Sequence, residues 1–361
     1  MKAYIVETAL IRKNIETIRE KAGSAPVWAV VKGDGYGLGT ENMARVCRES
    51  GLSRFAVTEP REAAVLRQTA SQEEKILMLR PTTDREELEQ LLRLGVICTV
   101  ASQQDAVVLA GVARELGVRA KAHLKIDTGM GRYGFTPDET DKILACRCYL
   151  EDMEICGIYT HFPCAFCSKK RTKKQAELLK KVADAVVTAG FDPGEVHCCN
   201  SAALMRLPEL AMGGVRVGSA LLGRLACRSP LERVGYCQAS IGELRTLQKG
   251  ATCGYGSAWK ARKPTQIAVI PVGWYHGYTT EYGHDVFRIR DCLRQIAGGL
   301  KGILIRKKLT VEVAGQRCRV LGHVGMLHTV IDVTGKGLKE GDLAMLEINP
   351  LRVRGLEVKF V

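Results

Sequence analysis

The fold this sequence predicts is a (β/α)8 barrel of the triosephosphate-isomerase type followed by a smaller all-β domain. Over the first two-thirds of the chain, short β-branched runs alternate with amphipathic helical patterns, which argues for βαβ units and a parallel sheet. Eight such units follow one another at spacings of roughly 20 to 40 residues, near the usual barrel size of about 250 residues. After about Gly223 the helical periodicity gives way to short, partly alternating strands separated by turns. A doubly wound open sheet would be expected to carry a dinucleotide fingerprint after its first strand, and none is present.

The barrel strands are expected at residues 27–31, 55–57, 75–79, 96–100, 122–126, 155–159, 196–199 and 215–217. Amphipathic stretches at 41–50, 59–70, 84–94, 102–116 and 172–189 supply helices between them. The β-domain strands are expected at 242–248, 266–272, 310–313, 318–320, 329–333, 343–348 and 357–361. Turns such as Ala314-Gly315-Gln316 and Thr334-Gly335-Lys336-Gly337 divide them. The basic stretch 288–308, with Gly298, Gly299 and Gly302, reads as a loop-rich insertion. The expected domains are 1–223 and 224–361.

Composition narrows the functional classes. A chain of 361 residues suggests about two domains, and 46% hydrophobic with 25% charged residues excludes disorder, collagen and coiled coil. The longest apolar runs, such as 267–272, fall far short of the ~18 residues of a spanning helix. Glu7 interrupts what would be the apolar stretch of a signal peptide, so a cytoplasmic protein is expected. Fourteen cysteines at scattered spacings then read as reduced thiols rather than a disulfide framework. The net charge is +14, and its densest cluster is Lys169-Lys170-Arg171 with Lys173, Lys174, Lys180 and Lys181. That cluster lacks the interleaved aromatics of single-strand binders and reads as a solvated helix face, so neither nucleic acid nor membrane is an expected partner.

In a barrel of this type the reacting groups come from the loops after the strands. There the sequence places Lys32 after the first strand and Arg132 after the fifth. His161 follows the sixth, Asn200-Ser201 the seventh, and Arg216-Val217-Gly218-Ser219 the eighth. Lys32 ends the apolar run Val27-Trp28-Ala29-Val30-Val31, where burial disfavours an ammonium. A neutral amine at a barrel mouth can attack a carbonyl and form a Schiff base. The glycine-rich Gly33-Asp34-Gly35-Tyr36-Gly37-Leu38-Gly39 that follows lets backbone approach a ligand closely and offers the Tyr36 hydroxyl. Cys164 and Cys167 beside His161 have metal-ligand spacing, but no second pair completes a zinc set. No metal is therefore expected, and His123, His197 and His328 read as packed or surface residues.

Val30-Val31-Lys32-Gly33-Asp34-Gly35-Tyr36-Gly37 resembles the pyridoxal-phosphate lysine motif of alanine racemases. So do His123-Leu124-Lys125-Ile126-Asp127-Thr128-Gly129-Met130-Gly131-Arg132, Tyr159-Thr160-His161-Phe162, His197-Cys198-Cys199-Asn200-Ser201-Ala202-Ala203, Val215-Arg216-Val217-Gly218 and Cys253-Gly254-Tyr255-Gly256. The family's barrel and β-domain agree with the architecture read above without it. The resemblance implies a pyridoxal 5'-phosphate-dependent racemase, a homodimer sharing its active site across the interface, and a small amino-acid substrate. It implies that Lys32 bonds the cofactor covalently, that Tyr36, Ser201, Gly218 and Ser219 surround its phosphate, and that Arg216 faces its pyridine nitrogen. His161 would hydrogen-bond Arg216. Arg216 can donate a hydrogen bond but keeps its proton, and the weaker electron sink disfavours decarboxylation on the same architecture. Lys32 and Tyr255 would be the two catalytic bases, serving D- and L-substrates respectively, with Tyr255 coming from the other subunit. Arg132 and Met326 would meet the substrate, and Lys125 matches a position carbamylated in many members.

The match fails at the substrate entrance. The family's Gly-Tyr-Ala-Asp-Gly reads Gly273-Trp274-Tyr275-His276-Gly277 here, and its Gly-Arg-Val-Ser-Met-Asp reads Gly322-His323-Val324-Gly325-Met326-Leu327. The chain also ends at Val361, before the tail that in many members brings another phosphate-binding tyrosine. Alanine, serine or a larger amino acid are all expected substrates. A binding protein without turnover is the alternative from another class, although the β-domain counts against it.

Overall fold

The computed structural model describes residues 1–69, 71, 73–280, 289–305 and 309–361. The chain divides into two compact units, 7–234 and 1–6 together with 235–361. The expected division at 223/224 therefore moves, because the first strand belongs with the β unit and the segment up to Val234 with the barrel.

The strands in chain order are β1 (Lys2–Val6), β2 (Val27–Val30), β3 (Arg54–Val57), β4 (Lys75–Met78), β5 (Ile97–Val100), β6 (Ala120–Lys125), β7 (Met153–Tyr159), β8 (Glu195–His197), β9 (Cys199–Asn200) and β10 (Val215–Val217). From β2 to β10 all pairings are parallel, in the order β8-β7-β6-β5-β4-β3-β2-β10-β9. Because β8 and β9 are consecutive pieces of one stave, interrupted at Cys198, the list closes on itself as an eight-stave barrel. The expected seventh strand, 196–199, is this broken stave. Trp28, Val30, Ala56, Leu77 and Ile97 pack together inside, as branched and bulky inward residues do in such barrels.

Helices Thr40–Glu49, Pro60–Thr69, Arg85–Arg93, Gln103–Glu115 and Lys169–Thr188 lie where amphipathic periodicity places them; residue 70 of one expected helix lies outside the described residues. Asp84, Ser102 and Ser168 accept hydrogen bonds from Glu87, Asp105 and Arg171 N–H, capping three of these helices.

In the other unit, β11 (Tyr236–Ser240), β12 (Glu243–Leu247), β15 (Thr265–Ile270), β16 (Thr310–Val313), β17 (Gln316–Val320), β18 (Thr329–Asp332), β19 (Leu343–Leu346) and β20 (Glu357–Phe360) join β1, in the order β12-β15-β18-β17-β16-β19-β11-β1-β20. Every pairing in this sheet is antiparallel except β1 with β20. β13 (Thr252–Cys253) and β14 (Trp259–Lys260) form a separate ribbon. The expected loop-rich insertion is corrected: Ile289–Ile305 is a helix, while 288 and 306–308 lie outside the described residues. Ile289, Leu293, Ile296 and Leu300 recur at helical spacing, a stronger signal than the three glycines, and all four are exposed. No described helix is long and apolar enough to cross a membrane.

Candidate active site

The C-terminal ends of the barrel strands converge on a cavity of about 360 Å³ whose lining includes Lys32, Tyr36, His161, Ser201, Arg216, Gly218 and Ser219. Seven of the sequence-predicted residues, drawn from four staves, thus share one space. A larger hollow elsewhere on the barrel, lined by Arg67, Arg93 and Arg119 among others, carries none of them.

The segment after β2 places two of these groups through an unusual backbone. Gly33, Asp34, Gly35 and Tyr36 have φ of 64°, 51°, 61° and 59°, a left-handed turn in which two members are not glycine. Each non-glycine residue there costs on the order of 1–2 kcal/mol, so the turn has to be held from outside. Buried Glu62 supplies part of that hold, its Oε1 accepting from Asp34 N–H at 3.1 Å and its Oε2 from Thr58 and Glu59 N–H. Asp34 Oδ1 accepts from Thr40 N–H at 3.0 Å. The turn aims Tyr36 at Gly218, where a methyl group would come within 2.1 Å of Tyr36 Oη; only glycine fits. Ser219 N–H donates to that hydroxyl, although burial dominates and pushes the Tyr36 pKa up to about 12. Ser201 Oγ accepts from Gly218 N–H at 3.1 Å and Ala220 N–H at 3.3 Å.

Burial lowers the Lys32 pKa, and the nearby Arg132 charge lowers it further against a smaller opposing pull from Glu62. Lys125, only 4% exposed, is brought down to about 7 by burial and then by Arg132 and Arg216. Its ammonium and the Arg132 guanidinium both lie over the Tyr133 ring, at 5.2 and 5.9 Å. The loop presenting Arg132 is wound around Asp127, whose carboxylate accepts from Gly129, Met130, Gly131 and Arg132 N–H. Burial alone would raise the Asp127 pKa, but the four backbone donors outweigh it and hold it below the usual value.

Arg216 is 3% exposed, and its guanidinium is held in place by buried acceptors. Nη1 donates to His197 Nδ1 at 2.7 Å and to His197 O at 3.2 Å, and Nη2 donates to Thr160 O at 2.5 Å. The expected hydrogen bond from His161 is therefore made by His197 instead. His161 lines the cavity, its pKa lowered to about 3 by burial first and then by Arg216, Arg132 and Lys32. His197 in turn meets His123 Nδ1 through Nε2, at 3.0 Å. Since Arg216 can only donate, His197 must accept at Nδ1 and donate at Nε2, which sets the tautomer of both imidazoles. Burial keeps both neutral, His123 at about 3 and His197 well below its ordinary value. Tyr159 completes the surround, its ring 4.9 Å from Arg216 and stacked on His197. Sequence reasoning missed His197 and Tyr159 in this role. Their signal was a polar group at the end of an otherwise apolar strand, which must find a partner inside the barrel.

Tyr255 and Met326 belong to the other compact unit. Tyr255 is 75% exposed in a turn opened by Gly254 at φ 81°. Trp274 N–H donates to Gly325 O and Tyr275 N–H to Met326 O, setting Trp274, Tyr275, Met326 and Leu327 close together and all exposed. His323 is exposed as well, whereas His276 is buried and accepts from Gly273 N–H at 3.1 Å. His276 therefore shapes the turn from within, and the altered surface includes Trp274, Tyr275, His323 and Leu327.

Four cations, Lys32, Lys125, Arg132 and Arg216, act on one another electrostatically at this barrel mouth. A hydroxyl and backbone cradle stands beside them, so the donor set suits an anionic ligand that carries a phosphate and an electrophilic carbon.

The sequence comparisons agree with this geometry. Residues 6–225 match the alanine racemase N-terminal domain and 234–350 the alanine racemase C-terminal domain. The alanine racemase of Desulforamulus reducens is 33% identical over 332 residues, 90% of this chain and 83% of that one. In the solved alanine racemase of Clostridium difficile 630 the identity is 25% and the TM-score 0.84, covering 100% of this chain and 95% of that one. An alanine racemase from Bartonella henselae with covalently bound pyridoxal phosphate shares the fold at TM-score 0.81 and 20% identity, covering 100% of this chain and 99% of that one. The chain belongs to the alanine racemase family.

Proposed function

We propose that the protein is a cytoplasmic, homodimeric, pyridoxal 5'-phosphate-dependent racemase that interconverts L- and D-alanine or a closely related amino acid. The single observation carrying this reading is the cavity in which desolvated Lys32, buried Arg216 and the Tyr36–Ser201–Gly218–Ser219 cradle meet. Tyr36, Ser201, Gly218 and Ser219 would hold the cofactor phosphate, Lys32 its aldehyde carbon, and Arg216 its ring nitrogen. When bound, the cofactor acidifies the substrate α-proton by delocalising charge.

Lys32 Nζ, whose pKa is lowered by burial and by Arg132, takes or returns the proton at the substrate Cα on one face. Tyr255 Oη serves the opposite face. Arg216 donates a hydrogen bond to the ring nitrogen without surrendering a proton, which limits charge withdrawal and restrains competing bond cleavage. Arg132 binds the substrate carboxylate or the cofactor's phenolic oxygen, and Met326 meets the substrate. Lys125, with a pKa near neutrality, is nucleophilic enough to take up carbon dioxide as a carbamate. The resulting negative charge would lie among cations and steady Arg132.

The exposed group of Tyr255, Trp274, Tyr275, Met326 and Leu327 supports a shared site, because clustered exposed aromatic and apolar residues mark protein interfaces. Trp274 and Leu327 also favour a second reading of substrate choice, in which serine or a larger amino acid is turned over.

The test is incubation of the protein and pyridoxal phosphate with a panel of L-amino acids in deuterated water, followed by chiral chromatography. Formation of the D-enantiomer with deuterium at Cα is expected, and the best substrate in the panel identifies the physiological class. Cofactor binding without exchange would overturn the catalytic reading, and release of an amine would favour decarboxylation.

A further inference from the structure

Cys164 and Cys167 take no part in the chemistry above, yet Phe166 of their turn is part of the cavity lining. Cys167 N–H donates to Cys164 O at 3.0 Å, and Ser168 N–H donates to the same carbonyl at 2.8 Å. A turn closed in this way keeps its end Cα atoms within about 7 Å, and disulfides bridge Cα atoms about 4.4–6.8 Å apart. The Cys167 thiol donates to Cys164 O at 3.5 Å. Cys167 is exposed and Cys164 half-buried, so a reagent in solution reaches the pair. The pair directly precedes the Ser168 cap of helix Lys169–Thr188, and a Cys-x-x-Cys beside βαβ units in a reducing compartment reads as a redox motif. Among the described residues no group of three or more His, Cys, Asp or Glu side chains converges to hold a metal.

The same turn is coupled to the cavity. Phe166, between the two cysteines, lines it together with Lys32, Tyr36 and Arg216. Arg206 Nη1 donates to Ala165 O at 2.5 Å, and Asn200 Nδ2 donates to Phe162 O at 2.9 Å. Asn200 immediately precedes Ser201 and caps its helix by accepting from Ala203 N–H at 3.0 Å. A change in the turn is therefore felt by Phe166 directly and by Ser201 through Asn200.

We infer that Cys164 and Cys167 form a thiol–disulfide pair whose closure reshapes this part of the lining and loosens the cofactor; the second clause rests on the cofactor reading above. The exposed Cys167 sulfur attacks one sulfur of a low-molecular-weight disulfide, breaking that bond and releasing one thiol. Cys164 then displaces the second thiol from the mixed disulfide. The protein pair is oxidised, the external disulfide is reduced, and both thiol protons leave on the two released thiols. Bringing the sulfurs to about 2.05 Å rotates both side chains and re-forms the turn that carries Phe166.

The test equilibrates the full-length protein with glutathione disulfide and glutathione at stepped ratios. Free thiols are alkylated, disulfides are mapped by peptide mass spectrometry, and pyridoxal phosphate is titrated by absorbance. A 164–167 disulfide is expected at ratios that leave the other cysteines reduced. The half-saturating cofactor concentration should rise about tenfold, within the usual range for coupled sites, and dithiothreitol should reverse it. Cys164→Ser and Cys167→Ser should each bind cofactor as the reduced protein does, at every ratio. No 164–167 disulfide, or a disulfide with unchanged cofactor binding, overturns the proposal. A reduced protein that takes up no cofactor overturns the cofactor reading and the loosening clause, while the mapped disulfide still decides the pair on its own.

Discussion

The barrel mouth and the Tyr255 face of the β unit carry the two halves of the proposed chemistry in opposite environments. Around Lys32 the cavity-lining groups Tyr36, His161, Ser201, Arg216, Gly218 and Ser219 are buried or half-buried, while Arg132 at the rim is exposed. Around Tyr255 the side chains stand exposed, with Tyr255 at 75%. On the proposed chemistry, the contrast teaches that one base is prepared within its own unit, whereas the other lacks surroundings there. A site divided in this way would depend on assembly.

The sharpest way to break the comparison is Lys32→Ala. Loss of both the covalent anchor and one base should reduce kcat/KM by about 10⁴-fold, at the upper end for a positioned acid–base group. The absorbance of covalently bound cofactor should vanish with it; a retained band would defeat the lysine assignment.

Tyr255→Phe should cost about 10²- to 10³-fold while leaving cofactor absorbance intact, because Lys32 and the phosphate cradle are untouched. Mixing this variant with Lys32→Ala sharpens the point. If the site is shared across a two-fold dimer, re-associated hybrids carry one intact site, and the mixture should recover about a quarter of native activity. No recovery on mixing would place both bases in one chain.

A smaller effect follows from His197→Ala, which leaves the buried Arg216 guanidinium short of an acceptor. Losing a hydrogen bond to a charged group costs about 1.5–3 kcal/mol, so kcat should fall by about ten- to a hundredfold. The absorbance of bound cofactor should shift, a readout that a merely structural residue would leave unmoved. His161→Ala should leave the Arg216 tether intact.

The smallest expected effect concerns pH. Lys125 falls from 10.5 to about 7 in the folded protein, so between these values the unfolded chain binds the extra proton. Stability therefore rises with pH across that window, and the penalty of burying the ammonium is present in full below it. Urea denaturation of Lys125→Met at several pH values from about 7 to 10.5 should show a flatter rise than the parent protein. An identical slope would mean that Lys125 binds its proton alike in the folded and unfolded chain, so that its pKa is not lowered by folding.

Much of the fold was legible in the sequence because each signal was local. Alternation and helical spacing placed the staves and helices to within a few residues, and Lys32 stood out as an ammonium ending an apolar run. The helix Ile289–Ile305 was hidden by its glycines. β1 was invisible as a β-unit strand, since five residues at the N-terminus show no sign of pairing with Tyr236–Ser240 and Glu357–Phe360, which are far away in sequence. The tether of Arg216 was expected from His161 because the family resemblance implied it. Which imidazole meets a guanidinium depends on the inward direction of each side chain, and His197 has it.

By itself, then, the sequence determined the residue types, their order along the staves and the turn chemistry that exposes them, since periodicity and backbone preference act over a few neighbours. Tertiary structure alone decided which of those groups share a cavity, which proton each imidazole carries, and how far Lys32 and Lys125 depart from ordinary amines. Those properties come from burial and from charges brought close by distant segments, and no short stretch of chain contains either.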